Sequence, residues 1–229
     1  MTEEIINELE ALGTREKREV LMRFFKTGKG DYAEGDRFFG ARVPEVREVA
    51  KRHLLADIAT VEELLKSDWH EARLCGLLIL TLRFKKAKGD ERDKIARFYL
   101  SHTDRVNNWD LVDLTAPSLL GEWLIDRPRT KLYELAESRL LWDNRIAIVS
   151  TLAFIRANQL DDTYSLATKM MAHPHDLMHK AIGWMLREAG KRDHDRLFQY
   201  VAEHRTVMPR TMLRYAIERF SAVERKQLL

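Results

Sequence analysis

Among 229 residues there are 1 cysteine, 5 prolines and 10 glycines, and each scarcity excludes something. Cys75 lies in the apolar run from Leu74 to Leu82, where it closes no intrachain disulfide and reads as a core thiol of a cytosolic protein. That removes both a disulfide-framed fold and an exposed cysteine nucleophile. So few turn formers do not suit a many-stranded sandwich, and no hairpin signal is present. No apolar run approaches the roughly 20 residues of a membrane span. The first residues are acidic rather than basic and then apolar, so no signal peptide is expected and a cytoplasmic location is. The one glycine-rich stretch, Gly28 to Asp36, lacks the Gly-Lys-Ser/Thr ending of a phosphate cradle and follows a helix, so it reads as a loop. His173, His175 and His179 are close together, but no zincin-type Glu or nearby Cys joins them. They read as a polar helix start, and no metal or other cofactor is expected.

What is present is helical. Leu, Ala, Arg, Glu and Lys dominate, with 33% charged and 45% hydrophobic residues, and helical periodicity runs through most of the chain. Thr14, Thr60 with Glu63, and Asp68 with Glu71 resemble N-caps or capping boxes. Pro44 falls in a first turn, further starts are expected near Asp90, Asp126, Asp143 and Pro174, and Pro209 opens a last long helix through Arg219. Arg73, Trp109 and Arg145 stand at equal steps along the chain, and another such step reaches Ala181, between Lys180 and Trp184. A helical repeat of that spacing predicts a single α-solenoid of HEAT-like or armadillo-like type over residues 1–229, with these positions on one concave side. Charge is uneven: residues 1–70 hold 12 Lys/Arg against 15 Asp/Glu, and residues 172–229 hold 11 against 7. A more basic C-terminal part is compatible with a polyanionic partner.

The most informative stretch is Asn107 to Pro117. Trp109 and Asp113 are one turn apart on a face that continues through Ala116 and Leu120, which sets a carboxylate beside an indole in an apolar stripe. Pro117 has no N–H for the Asp113 carbonyl, so a bend is expected there. A site and a buried Asp capping a neighbouring helix are both open readings. Arg145 shares a face with Val149 and Leu152 and requires an anion, either Asp113 or a bound phosphate. Trp184 lies off the stripe Leu177, Met178, Ala181, Ile182, Met185 and Leu186, on a face with Lys180, Arg187 and Lys191. It either packs under a neighbouring helix or meets a phosphate-rich or cationic aromatic partner, with Gly183 leaving room beside it. Trp69, Trp123 and Trp142 read as packing residues.

Asn108-Trp109-Asp110-Leu111-Val112-Asp113, the Arg145 helix, and the run from Lys180 to Glu188 with its Gly183-Trp184 together resemble the HEAT-like-repeat DNA alkylation repair family, the AlkD-type DNA glycosylases. The run from Met208 to Glu218 is similar to the closing repeat of bacterial members, and the likeness extends from about residue 10 to residue 220. It implies an α-solenoid that grips duplex DNA, and monofunctional release of cationic alkylpurines such as 3-methyladenine and 7-methylguanine; a self-capped solenoid is expected to be a monomer. The family's functional Trp, Asp and Arg would correspond to Trp109, Asp113 and Arg145, and its second cleft Trp to Trp184. Lys180, Arg187 and Arg73 would add contacts to the DNA backbone. In the first helical pair, where members present a Tyr to the lesion, this chain reads Arg23-Phe24-Phe25-Lys26, so Phe24 offers a ring face without a hydroxyl. The alternative is a non-catalytic DNA-binding solenoid for distorted or branched DNA, and a third reading is a protein-binding scaffold.

Overall fold

The computed structural model describes residues 1–229. It is all helical, with one isolated parallel bridge, Arg37 to Trp69, as the only strand-like pairing. The chain forms two compact units, Met1–Thr115 and Ala116–Leu229. No helix is long and apolar enough to cross a membrane.

The first unit contains α1 (Thr2–Leu12), α2 (Arg15–Phe24), α3 (Val43–Arg52), α4 (Ile58–Lys66), α5 (His70–Lys86), α6 (Asp90–Leu100) and the start of α7 (Trp109–Ala116). α5 is its axis. A helix that is apolar on every side must be surrounded, and α5 is buried from His70 to Thr81, with α1, α3, α4 and α6 packed on it. α2 is the opposite case, with no fully buried residue. Thr14 caps it as expected, accepting the Lys17 amide at 3.3 Å, and Pro44 lies in the first turn of α3. Two expected caps move. Asp57 rather than Thr60 opens α4, its Oδ1 accepting the Thr60 amide at 2.7 Å. No side chain caps α5, and Glu71 turns inward instead.

In the second unit Pro117 opens a π-helical turn, Pro117–Gly121, that runs into α8 (Glu122–Leu124). The missing proline N–H thus yields a local change of helical pitch. Gly121 fits that turn against α10 (Leu141–Arg156), because a Cβ there would stand 2.3 Å from the Ser150 carbonyl oxygen. The remaining helices are α9 (Thr130–Ala136), α11 (Asp161–Lys169), α12 (Asp176–Gly190), α13 (His194–His204), α14 (Arg210–Ala216) and α15 (Ala222–Leu228). α9 starts later than the Asp126 signal suggests. α14 ends before the expected Arg219, and a further helix follows it, capped by Ser221 and Glu224. α10, buried from Asp143 to Ile155, is the axis of this unit. Asn144 ties it to α9 by donating to the carbonyls of Leu135, Ala136 and Ser138 at 2.9, 3.2 and 3.0 Å.

The equal steps land on α5, α7, α10 and α12. Their registers differ: Arg73 is fourth in its helix, Trp109 first, Arg145 fifth and Ala181 sixth. The spacing therefore reports the rhythm of helices better than it reports equivalent positions.

Candidate active site

Trp109, the first residue of α7, is held from several directions. Its amide donates to the Asn108 side-chain oxygen at 2.8 Å, and its indole Nε1 donates to the Tyr32 hydroxyl at 3.3 Å. Its ring stacks on Phe25 at 5.2 Å with 21° between planes and meets Phe24 edge-on at 5.7 Å. These rings, with Leu21, Phe38, Ala41, Val43, Pro44, Leu74 and Leu114, wall a cavity of about 380 Å³ in the first unit. Asp113 lines the same cavity, and both Trp109 and Asp113 are half-buried. The shared helical face expected of the pair is therefore a shared cavity wall. Phe24 is 62% exposed at its rim.

Two further carboxylates line the cavity, and both are engaged. Asp110 faces His70, with His70 Nε2 to Asp110 Oδ2 at 2.8 Å. The other imidazole nitrogen, Nδ1, lies 3.0 Å from Asp36 Oδ2. Asp36 also accepts from Arg73 Nη2 at 2.6 Å and from Asn108 Nδ2 at 3.4 Å. Burial alone would lower the His70 pKa. The charge and hydrogen bond of Asp110, then those of Asp36, reverse this and raise it to about 9. Burial pushes Asp36 up, but the hydrogen bond from His70 and the charge of Arg73 more than offset it and hold Asp36 below its ordinary value. Glu71 accepts the amides of Phe39, Gly40 and Ala41 at 2.9, 2.8 and 3.1 Å. Burial raises its pKa despite those bonds. It fixes the segment that carries Phe38 into the cavity.

This network escaped the sequence reading. The tetrad Asp68-Trp69-His70-Glu71 has the look of a capping box, and that look obscured a histidine at the first position of a buried helix. Asp36 was legible only as the end of a loop. The Gly28 to Asp36 stretch is a succession of turns, with backbone bonds from Asp31 to Gly28, Glu34 to Asp31 and Asp36 to Ala33, that delivers Asp36 to the interior.

Arg73 is only 2% exposed. With Nη1 on the Ser67 carbonyl at 3.0 Å and Nη2 on Asp36, its charge is spent inside the first unit, which argues against a DNA backbone contact. In the second unit Arg145 is 5% exposed and donates through Nη1 to the Leu177 carbonyl at 2.6 Å. Lys180 pairs with Asp176 at 2.8 Å, and Arg187 pairs with Glu218. Trp184 is half-buried and off the buried stripe of α12, as expected. It lines an open groove with Arg156, Lys191, Arg192 and Glu188. Gly183 does not make room for it: a Cβ there would lie 2.5 Å from Tyr215 Cβ and 2.6 Å from the Met212 carbonyl oxygen, so the glycine faces α14. The histidine group is a polar helix start. His175 Nδ1 accepts the Leu177 amide at 3.1 Å, His173 Nε2 meets Asn144 Oδ1 at 3.1 Å, and His179 Nε2 donates to the His173 carbonyl at 2.6 Å. Cys75 is buried, its thiol pushed up to about 12 by that burial. Trp69 stacks on Phe39 at 4.1 Å and has the Arg37 guanidinium over its ring, 4.2 Å from the centroid, a packing role.

No curated protein sequence matches the chain. Among solved structures, one described as a predicted DNA alkylation repair enzyme from Enterococcus faecalis is similar to it, with a TM-score of 0.69 and 15% identity over 92% of this chain and 97% of that one. At such low identity the likeness establishes the fold. A family model described as DNA alkylation repair enzyme matches residues 5–220. With nearly the whole chain so matched, the protein belongs to the DNA alkylation repair enzyme family, which gives it a role in DNA repair and DNA as its partner.

Proposed function

We propose that the protein is a monofunctional DNA glycosylase that hydrolyses the N-glycosidic bond of cationic N3- or N7-alkylated purines, such as 3-methyladenine and 7-methylguanine, in duplex DNA. The observation that carries this reading is the placement of Asp113 and Trp109, one helical turn apart, on the wall of one aromatic-lined cavity. A purine alkylated at these positions already carries positive charge. When the C1′–N bond breaks it takes the bonding pair and leaves as a neutral base, so no general acid is required. What is required is stabilisation of an oxocarbenium-like sugar and a water placed to attack C1′. A single carboxylate serves both, by its charge and by accepting the water proton. Asp113 is assigned that role.

The rings of Trp109 and Phe24 offer their π faces to the cationic nucleotide, a contribution on the order of 0.5–2 kcal/mol each. In the second unit Trp184, Lys180 and Arg187 are assigned to the DNA backbone, where contacts fix position without reading sequence. Arg145, which corresponds by resemblance to the family's functional Arg, is assigned on chemical grounds to a phosphate beside the lesion. The protein is expected to act as a monomer without a cofactor.

Chromatography of bases released from methylated duplex DNA tests the reading, with wild type and Asp113→Asn side by side. Wild type should release 7-methylguanine, and Asp113→Asn should bind the same DNA and release little. Equal release by both proteins would remove Asp113 from the mechanism. Binding without release from any alkylated DNA would favour the non-catalytic DNA-binding reading.

A further inference from the structure

We infer that His70, bridging Asp36 and Asp110 at the wall of the cavity, is a positioning residue that fixes the first turn of α7 and thereby orients Trp109 and Asp113 for reaction. The inference rests on the reaction proposed above, but the bridge itself has an independent readout.

Both ring nitrogens of His70 face carboxylate oxygens, Nδ1 at 3.0 Å from Asp36 and Nε2 at 2.8 Å from Asp110. A neutral imidazole has one N–H and can donate to only one of them, so the geometry calls for the imidazolium. The side chains of His70, Asp36 and Asp110 are 2%, 5% and 6% exposed, and Arg73 completes the set at 2%. Two cations against two carboxylates make a balanced buried cluster, the condition under which such charges are tolerated in an interior. The charged groups around the ring are Asp36 from the loop before α3, Asp110 from α7, and Arg73 and Glu71 from α5. Glu71 is turned to the amides of residues 39–41.

Two routes lead from this ring to Trp109. One is through the backbone: Asn108 and Asp110 flank Trp109, Asn108 Nδ2 reaches Asp36 at 3.4 Å, and Asp110 holds His70 while its Oδ1 accepts the Leu111 amide at 2.9 Å. The other is a column of rings. His70 stacks on Phe38 at 4.5 Å, Phe38 on Phe25 at 5.0 Å and Phe25 on Trp109 at 5.2 Å, each pair within 22° of parallel. Asp113 lies one turn further along α7 and moves with it. Loss of the His70 proton would leave two buried carboxylates sharing one N–H and would release the turn that carries Trp109.

The experiment uses the full chain as wild type, His70→Gln and Asp110→Asn, both of which preserve size and some hydrogen bonding. Single-turnover release of 7-methylguanine and DNA affinity are measured in parallel. Acrylamide quenching of Trp109, isolated by difference from Trp109→Phe, is followed in free protein from pH 7 to 10. In both variants the release rate should fall about 10- to 100-fold, the cost of a small misplacement of reacting groups, with DNA affinity retained. In wild type the quenching of Trp109 should rise near pH 9, and in His70→Gln it should be high throughout. Folded variants that release base at the wild-type rate overturn the inference. If the variants do not fold, the wild-type titration decides, and a Trp109 signal flat across the range overturns it. If wild type releases no base, the proposed reaction fails while the quenching titration still tests the bridge.

Discussion

His70 Nε2 stands 2.8 Å from Asp110 Oδ2, so a histidine at the start of α5 grips the residue next to Trp109. Because both groups are buried, the ionisation of that histidine is coupled to folding. The sign follows from the pKa, ordinarily 6.5 and raised here to about 9. A raised pKa means that the folded state holds the proton more tightly than the unfolded chain. The bridge therefore contributes its full stabilisation below about pH 6.5 and loses it as pH rises through 9. Melting temperatures measured between pH 6 and 10 should fall on the alkaline side in wild type. His70→Gln should be less stable at pH 6 and should lack most of that alkaline slope. An equal slope in both proteins would mean that another group governs alkaline stability.

The helices were legible because their information is local. Thr14, Pro44 and the buried stripe of α12 are each decided by neighbours within a turn or two. The proline at position 117 announced a distortion that the structure realises as a π turn. Most of what failed depended on distance along the chain, and one cap failed to a local competitor. Thr60 has the right residue type for a cap and a Glu at the right spacing, but Asp57, three residues earlier, accepts the Thr60 amide and so starts the helix before Thr60 is reached. Glu71 fits a capping box equally well, yet the amides of residues 39–41 claim it. Arg73 and Lys180 are both cations on helices, and nothing local separates the one that meets Asp36 inside from the one on the surface. Trp109 and Asp113 were found together because four residues on a helix are a spatial relationship that sequence does encode. Tyr32 and Phe25, which hold Trp109, come from other elements and were not.

Gly183 gives a packing prediction of definite sign. In a helix interior Ala is favoured over Gly by about 1 kcal/mol, so Gly183→Ala would stabilise an isolated α12. Here the new Cβ would meet Tyr215 Cβ at 2.5 Å and the Met212 carbonyl oxygen at 2.6 Å, and the latter is backbone that cannot rotate away. Overpacking of about 1–3 kcal/mol should win, with a lowered melting temperature. Gly190→Ala is the control. Its new Cβ would meet only the Leu197 side chain, nearest at the mobile Cδ2, so its loss should be smaller. Thermal melts of the two variants check the order, and a Gly183→Ala protein as stable as wild type would contradict the close approach of α12 and α14.

The same contrast of buried and surface charge separates Arg73 from Lys180 in DNA binding. Arg73→Met removes one partner of a buried pair and leaves Asp36 facing fewer donors, a loss of about 3–5 kcal/mol in stability for such pairs. Because its guanidinium is directed to Asp36 and Ser67, the folded variant should bind DNA with the salt dependence of wild type. Lys180 pairs with the exposed Asp176, one helical turn away, an interaction of little energy that a phosphate can displace. Lys180→Ala should leave the melting temperature nearly unchanged and reduce the slope of log affinity against log salt by about 0.9, the value for one phosphate contact on duplex DNA. Trp184→Ala removes an uncharged contact to the DNA backbone, so it should weaken binding without changing that slope. Salt titrations of the three variants by fluorescence anisotropy distinguish these outcomes. A slope that falls with Arg73→Met and not with Lys180→Ala would reverse the assignment and place the DNA backbone against the first unit at Arg73.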